Sequence, residues 1–268
     1  MALPVPNVPV VNLGNLYIQG LGMSFVTGGL TLGVAAGQAR DGTNTNDLVL
    51  QAPVVINTAA AGVVNGLDTG TLAANTMYAV YVIGSSNSAI AGSNGNSPLP
   101  ANSGPAVGCL MSKSFTSPAL PFGYDMCRRI GAVLTSGSSL ILDFTQAGNG
   151  TTRAFWYADN VPTAVSAGNA TAFTAISLAA SVPVTAGAAT FECILTSDAG
   201  GDRWLGLRAT GSSSAIGQTV TSATASSISH SSITSPVGLL AGVASVDYRV
   251  NNAAAAAVLN VFGYVDQL

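Results

Sequence analysis

Lys113 and Glu192 are the only lysine and the only glutamate in this chain of 268 residues, and that scarcity limits its fold more than any motif does. A solvent-facing helix needs strong helix formers and a charged face. Glu, Lys and Gln, the polar helix formers that would build such a face, are scarce in this chain. Its apolar residues come in short β-branched or aromatic runs parted by Gly, Ser, Asn and Pro, the pattern of strands and turns. Thr76–Ile83, TMYAVYVI, is the clearest run in the first half. Alternation sends Tyr78, Val80 and Val82 to one face and Met77, Tyr81 and Ile83 to the other. Both faces are apolar, which predicts a strand covered on both sides, inside a sandwich or at a subunit interface.

Shorter runs at Leu16–Gly20, Met23–Thr27, Leu30–Leu32, Leu48–Leu50, Val54–Asn57 and Val107–Met111 predict further strands. Ile130–Leu134 and Ser139–Phe144 flank the turn residues Thr135–Ser138 and predict a hairpin. Phe173–Leu178, Ala188–Leu195 and Arg203–Ala209 are strand-like, with Phe191, Cys193 and Leu195 on one face; in the Ser/Thr-rich residues 210–236 the strands are not fixed. A second hairpin is predicted at the end, with Ser245–Val250 and Val258–Val265 about Asn251-Asn252. In it Val246, Tyr248 and Val250 face inward and Ser245, Asp247 and Arg249 outward. The expected fold is all-β: two antiparallel β-sandwich or jelly-roll-like domains with long loops, at residues 16–150 and 151–268. They follow an extended N-terminal arm, residues 1–15, whose Pro4, Pro6 and Pro9 exclude helix and central strand. An apolar arm lies either on a neighbouring subunit or on its own domain. The Gly/Ser/Asn/Pro loop 84–105 is longer than ordinary connections, so it is either functional or mobile.

Charged residues make up 7% of the chain, against roughly 25% in an ordinary soluble protein. Either a Ser/Thr/Asn coat keeps such a chain dispersed, or other subunits cover much of its surface. A net charge of −3 lacks the clustered cations of a nucleic-acid footprint. No stretch approaches the roughly 18–20 apolar residues of a spanning helix, so no membrane is expected. The start MALPVPNVPVV has no basic region followed by a long apolar one, which predicts synthesis in the cytoplasm without a secretory signal.

Candidates for chemistry are few. Cys109, Cys127 and Cys193 have no metal-ligand spacing and read as reduced, buried small hydrophobes. The stretch Ala39–Asp47 is dense in oxygen, but Asp41 and Asp47 are its only carboxylates and no Glu closes an EF-hand loop, so it reads as turn chemistry. His230 stands between Ser229 and Ser231, without a nucleophile elbow. No phosphate loop, dinucleotide glycine pattern or zinc spacing is present. The expectation is therefore no enzyme, no cofactor and no metal site. Phe155-Trp156-Tyr157 and Trp204 are either a platform for sugar rings or plugs of the second domain's core. The adjacent Arg128 and Arg129 point to opposite faces of a strand, where one can clamp a carboxylate such as Asp125 or Asp143 and the other a neighbour.

Three stretches carry a resemblance. Asn65–Ile83 reads NGLDTGTLAANTMYAVYVI, Leu120–Leu134 reads LPFGYDMCRRIGAVL, and Asp247–Asp266 reads DYRVNNAAAAAVLNVFGYVD. In this order they resemble a module of tailed-bacteriophage virion structural proteins, tail fibres among them. Tyr124, Arg128, Arg129 and Tyr264 fall on its motif positions, and Met77 stands where that family often has Trp. The resemblance implies a non-enzymatic β-sandwich virion component of tail, collar or capsid, made in a bacterial host cytoplasm. Its expected partners are other copies of itself and other virion proteins. The alternative is a receptor-binding module for host surface polysaccharide.

Overall fold

The computed structural model describes residues 17–86, 107–158, 161–215 and 217–268. The predicted arm, residues 1–15, and most of the loop 84–105 lie outside them. Every regular element among the described residues is a strand, as the composition predicts, and no helix is long and apolar enough to cross a membrane. The first strands are short: β1 (Ile18–Gly20), β2 (Met23–Phe25), β3 (Thr31–Val34), β4 (Gly37–Arg40), β5 (Asp47–Leu50) and β6 (Val54–Asn57). They make two three-stranded sheets, β1-β4-β5 and β2-β3-β6. Next come β7 (Gly66–Leu67), β8 (Met77–Gly84), β9 (Val107–Ser112) and β10 (Met126–Leu134), ordered β10-β8-β9-β7, with β7 parallel to β9.

All eight residues of β8 are buried, because β10 and β9 flank it and both its faces are covered. Val80 and Val82 enter the main core, whereas Ala79, Tyr81 and Ile83 join Leu110 in a smaller one. Met77 departs from the predicted alternation and packs in the main core with Tyr78.

The second half holds β11 (Phe144–Ala147), β12 (Thr152–Tyr157), β13 (Thr163–Gly168), β14 (Thr174–Ser177), β15 (Ala186–Thr196) and β16 (Arg203–Ala209). They are followed by β17 (Gln218–Ala223), β18 (Ile228–Pro236), β19 (Gly238–Leu240), β20 (Val243–Val250) and β21 (Ala256–Gln267). One sheet runs β11-β12-β21-β15-β18 with β13 also on β21; the other runs β14-β20-β16-β17 with β19 on β20. Phe191, Cys193, Leu195, Leu259 and Val261 from the first meet Leu205, Leu207, Val246 and Val250 from the second in one core. That core continues into the first half through Met23, Leu32 and Ile130. Each such side chain contributes about 1.5–3 kcal/mol when taken fully from water.

Both predicted hairpins open into crossovers. Leu142 N–H bonds Leu134 O and closes a tight turn. The chain then leaves β10: Ile141 N–H donates to Gly29 O, and Phe144–Ala147 pairs with β12 in the other sheet. Gly29 has φ +67°, and a Cβ there would stand 2.8 Å from Ile141 O, so glycine is required. Residues 144–147, counted with the first domain by the predicted boundary, thus belong to a sheet of the second half. At the end of the chain, β20 already has β16 on one side and β14 and β19 on the other, so β21 crosses to lie between β12 and β15. Ser245 and Asp247 lie on the face away from Val246, Tyr248 and Val250 as predicted, yet they are buried there. β4 (Gly37–Arg40) runs into the start of the stretch Ala39–Asp47, and β17 and β18 fix the strands of the Ser/Thr-rich segment.

Candidate functional site

The three motif stretches converge where the two halves meet. Arg129 lies opposite Tyr81 in the β10–β8 ladder and reaches to β21, where it ion-pairs with Asp266 at 2.5 Å and donates to Gln267 O. Asp266 is fully buried and its second oxygen accepts from Thr185 Oγ1 at 2.6 Å. The clamp predicted at Asp125 or Asp143 is therefore formed by Asp266 instead. Asp125 is taken by the Ser86 hydroxyl and N–H. Two residues before Asp266, on the same face of β21, Tyr264 donates to Ala132 O at 2.8 Å.

Around this pair the packing is close. Phe155 stacks on Tyr264 at 5.0 Å, and Phe144 and Tyr157 tilt against the two rings. A Cβ at Gly131 would meet Met23 Cε at 2.4 Å and Phe155 Cζ at 3.0 Å, so this glycine and the bulge beside it let the rings approach β10. Arg153, fully buried, donates to Gly20 O and Leu21 O at 2.7 Å and to Gly150 O at 3.2 Å. Burial brings its guanidinium down to about 10 against the pull of Asp266, so it stays cationic at neutral pH. Burial, with Tyr157 and Asp266 nearby, holds the Tyr264 phenol well above its ordinary pKa. Every one of these groups is partnered and shielded. Such an arrangement locks strands together; it presents no reactive atom.

The aromatic run divides as strand alternation requires. Phe155 and Tyr157 lie in the core, and Trp156 is 40% exposed on the outer face of the β11-β12-β21-β15-β18 sheet. Trp204 is on the opposite sheet, so the predicted platform is two separate surfaces. On the outer face of β16 and β20, Arg208 stands 4.0 Å from the Phe173 ring centre, and Arg249 stands 4.9 Å from Phe173 and 4.6 Å from Trp204. The order is Arg208, Phe173, Arg249, Trp204, each cation over an aromatic face. Asp247 binds Arg208 at 2.9 Å and Thr210 at 2.8 Å. Nothing in the sequence signals this ladder, because Phe173 lies 31 positions before Trp204 and comes from a different strand end.

The other candidates resolve individually. His230 is on β18, facing Ile194 in the register, with Nδ1 3.4 Å from Glu192 Oε1. Its neighbours Ser229 and Ser231 alternate to the other face of the strand. Asp41 accepts from Thr45 N and Asn46 N at 2.8 Å and from Thr43 Oγ1 at 2.5 Å, which makes the loop the turn its composition predicts. Cys109 and Cys193 are buried and burial pushes both thiols up to about 12; no disulfide links the three cysteines. No group of three metal-ligating side chains occurs among the described residues. Two clefts meet at Asn75: one of about 540 Å³ beside Ser136, Ser138, Leu140 and Pro162, and one of about 290 Å³ beside Met77, Phe115, Val184 and Val243.

No protein-family model and no curated protein matches the chain. Among solved structures, a carbohydrate-binding module of Cellvibrio mixtus lichenase 5A in complex with cellotriose aligns at 17% identity over 47% of this chain and 87% of that one, TM-score 0.19. A tryptic core variant of Bacillus thuringiensis Cry1Da aligns at 10% identity over 93% and 51%, TM-score 0.22. The structure of infectious bursal disease virus, Gx strain, aligns at 10% identity over 94% and 70%, TM-score 0.19. Superpositions with TM-scores this low carry no argument about what this chain does.

Proposed function

We propose that this chain is a structural component of a tailed-phage virion, attached to tail, collar or capsid and acting through subunit–subunit packing. The observation that supports it is where the charge goes. Of its eight cationic residues, Arg40, Arg129, Arg203 and Arg208 are ion-paired within the chain and Arg153 is sealed on backbone carbonyls. Lys113 is the exposed lysine. Meanwhile Leu30, Val55, Phe122, Ile228 and Leu239 are each more than half exposed. A surface this poor in charge and dotted with large apolar groups suits contact with other subunits better than free solution. Quantitative mass spectrometry of purified virions tests the reading: the chain is expected at a fixed multiple of the portal or tail proteins. Its absence from purified particles would overturn it.

One observation favours a second reading, a receptor-binding module for surface polysaccharide. Trp156 offers an exposed indole on an open sheet face. A glycan array separates the two readings, since binding lost in a folded Trp156→Ala variant supports this one and an array without signal removes it.

A further inference from the structure

The outer face of β16 and β20 carries a cation with no anionic partner among the described residues. Arg249 is held between the rings of Phe173 and Trp204, and its Nε, like that of Arg203, is shielded from solvent with no hydrogen-bond partner among the described residues. The other arginines of the second half each have an acceptor: Arg153 has three carbonyls, Arg203 has Asp198 and Arg208 has Asp247. The nearest carboxylate in sequence, Asp247, is two residues away on the same face, but both its oxygens are engaged, one by Arg208 and one by Thr210. The side chain of Asn251, close by, is fixed by Trp204 N–H and by Asp202 O. The one acidic residue outside the described residues is Asp159.

Two aromatic faces fix the plane of the Arg249 guanidinium before any ligand arrives. A planar fork held in this way matches a carboxylate bidentately. The ordering cost of a long, flexible side chain is already met by the stack. The partly exposed indole of Trp204 beside it supplies a flat apolar surface of the kind a pyranose ring rests on. We infer that Arg249 and Trp204 form a binding site for an acidic saccharide, with the uronate carboxylate on the Arg249 fork and the sugar ring against Trp204. The site is independent of Trp156 and of the virion assignment.

The chain has two tryptophans, so a Trp156→Phe variant leaves Trp204 as the single indole reporter. Titrating that variant with oligogalacturonate is expected to change its fluorescence saturably, while a neutral oligosaccharide of equal length leaves it unchanged. Arg249→Lys keeps the charge and the stem and loses the fork, so affinity is expected to fall roughly tenfold or more; unchanged circular dichroism confirms that it is folded. Arg249→Gln should abolish the response. Equal binding of the neutral oligomer would overturn the inference, as would undiminished binding by Arg249→Lys and Arg249→Gln. Equal binding of a short aspartate peptide would assign the site to a protein carboxylate and overturn the saccharide. No response to any probe would overturn it outright.

Discussion

The junction between the halves and the outer face of β16 and β20 are built from the same chemistry and differ in burial. At the junction, Arg129 meets Asp266 while Arg153 and Tyr264 meet carbonyls, beneath a cluster of four aromatic rings. On the outer face, Arg208 meets Asp247 while Arg249 lies between two rings. Asp266 is fully buried and Asp247 nearly so, but the cation is 10% exposed at the junction and 21% on the face. Water left on one partner screens the pair and replaces it when it is broken; water excluded from both leaves any survivor unpaired. Hence the junction holds the fold and the outer face is free to recognise something else.

The largest expected effect comes from breaking the junction. Asp266→Ala leaves the Arg129 charge without its counter-ion, with only Gln267 O to accept from it, and takes the Asp266 acceptor from Thr185, and should lower unfolding free energy by roughly 3–5 kcal/mol in urea titrations. Arg129→Met with Asp266→Leu should recover most of that loss, since removing both charges removes the orphan. A single-variant loss below about 1 kcal/mol would place the junction on the footing of an exposed pair. Tyr264→Phe keeps the ring stack and gives up the bond to Ala132 O; calorimetry should read a loss of about 1–2 kcal/mol.

A smaller effect is expected at the turn after β4. Burial works to raise the Asp41 pKa, and the hydrogen bonds from Asn46, Thr43 and Thr45 outweigh it, so the carboxyl titrates below 3.8. Its folded pKa is depressed, so its contribution is complete above the unfolded value and is lost as pH falls through the folded one. Carbon-detected NMR of the Asp41 carboxyl should give a midpoint under 3.8; a midpoint at or above it would mean the turn bonds do not hold in solution. On the outer face, Arg249→Ala should cost no more than about 1 kcal/mol of stability. Trp156→Phe should cost under about 0.5 kcal/mol, which makes it a safe background for fluorescence.

Local patterns carried the all-β architecture and most strand positions, because β-branched runs between Gly/Asn turns leave little else. Phe191, Cys193 and Leu195 sit on one buried face as alternation predicts. Sheet membership was not legible. Ser139–Phe144 returns against β10 only at Ile141 and Leu142 before Phe144 joins β12 in the other sheet, and Val258–Val265 is claimed by β15, distant in sequence. The same holds for the junction. The Arg128-Arg129 pair announces itself, but its acceptor Asp266 lies 137 positions away, and nearer carboxylates at Asp125 and Asp143 look equally suitable. The ladder gave no signal because its order alternates between strands rather than along one.

The proposed account is that a chain with few charges satisfies most of its cations within its own fold and that its uncharged faces meet other copies. Sedimentation velocity of the purified protein at micromolar concentration tests it most directly. A discrete homo-oligomer that persists on dilution and in moderate salt is the predicted result. A single monomeric boundary at every concentration would contradict it.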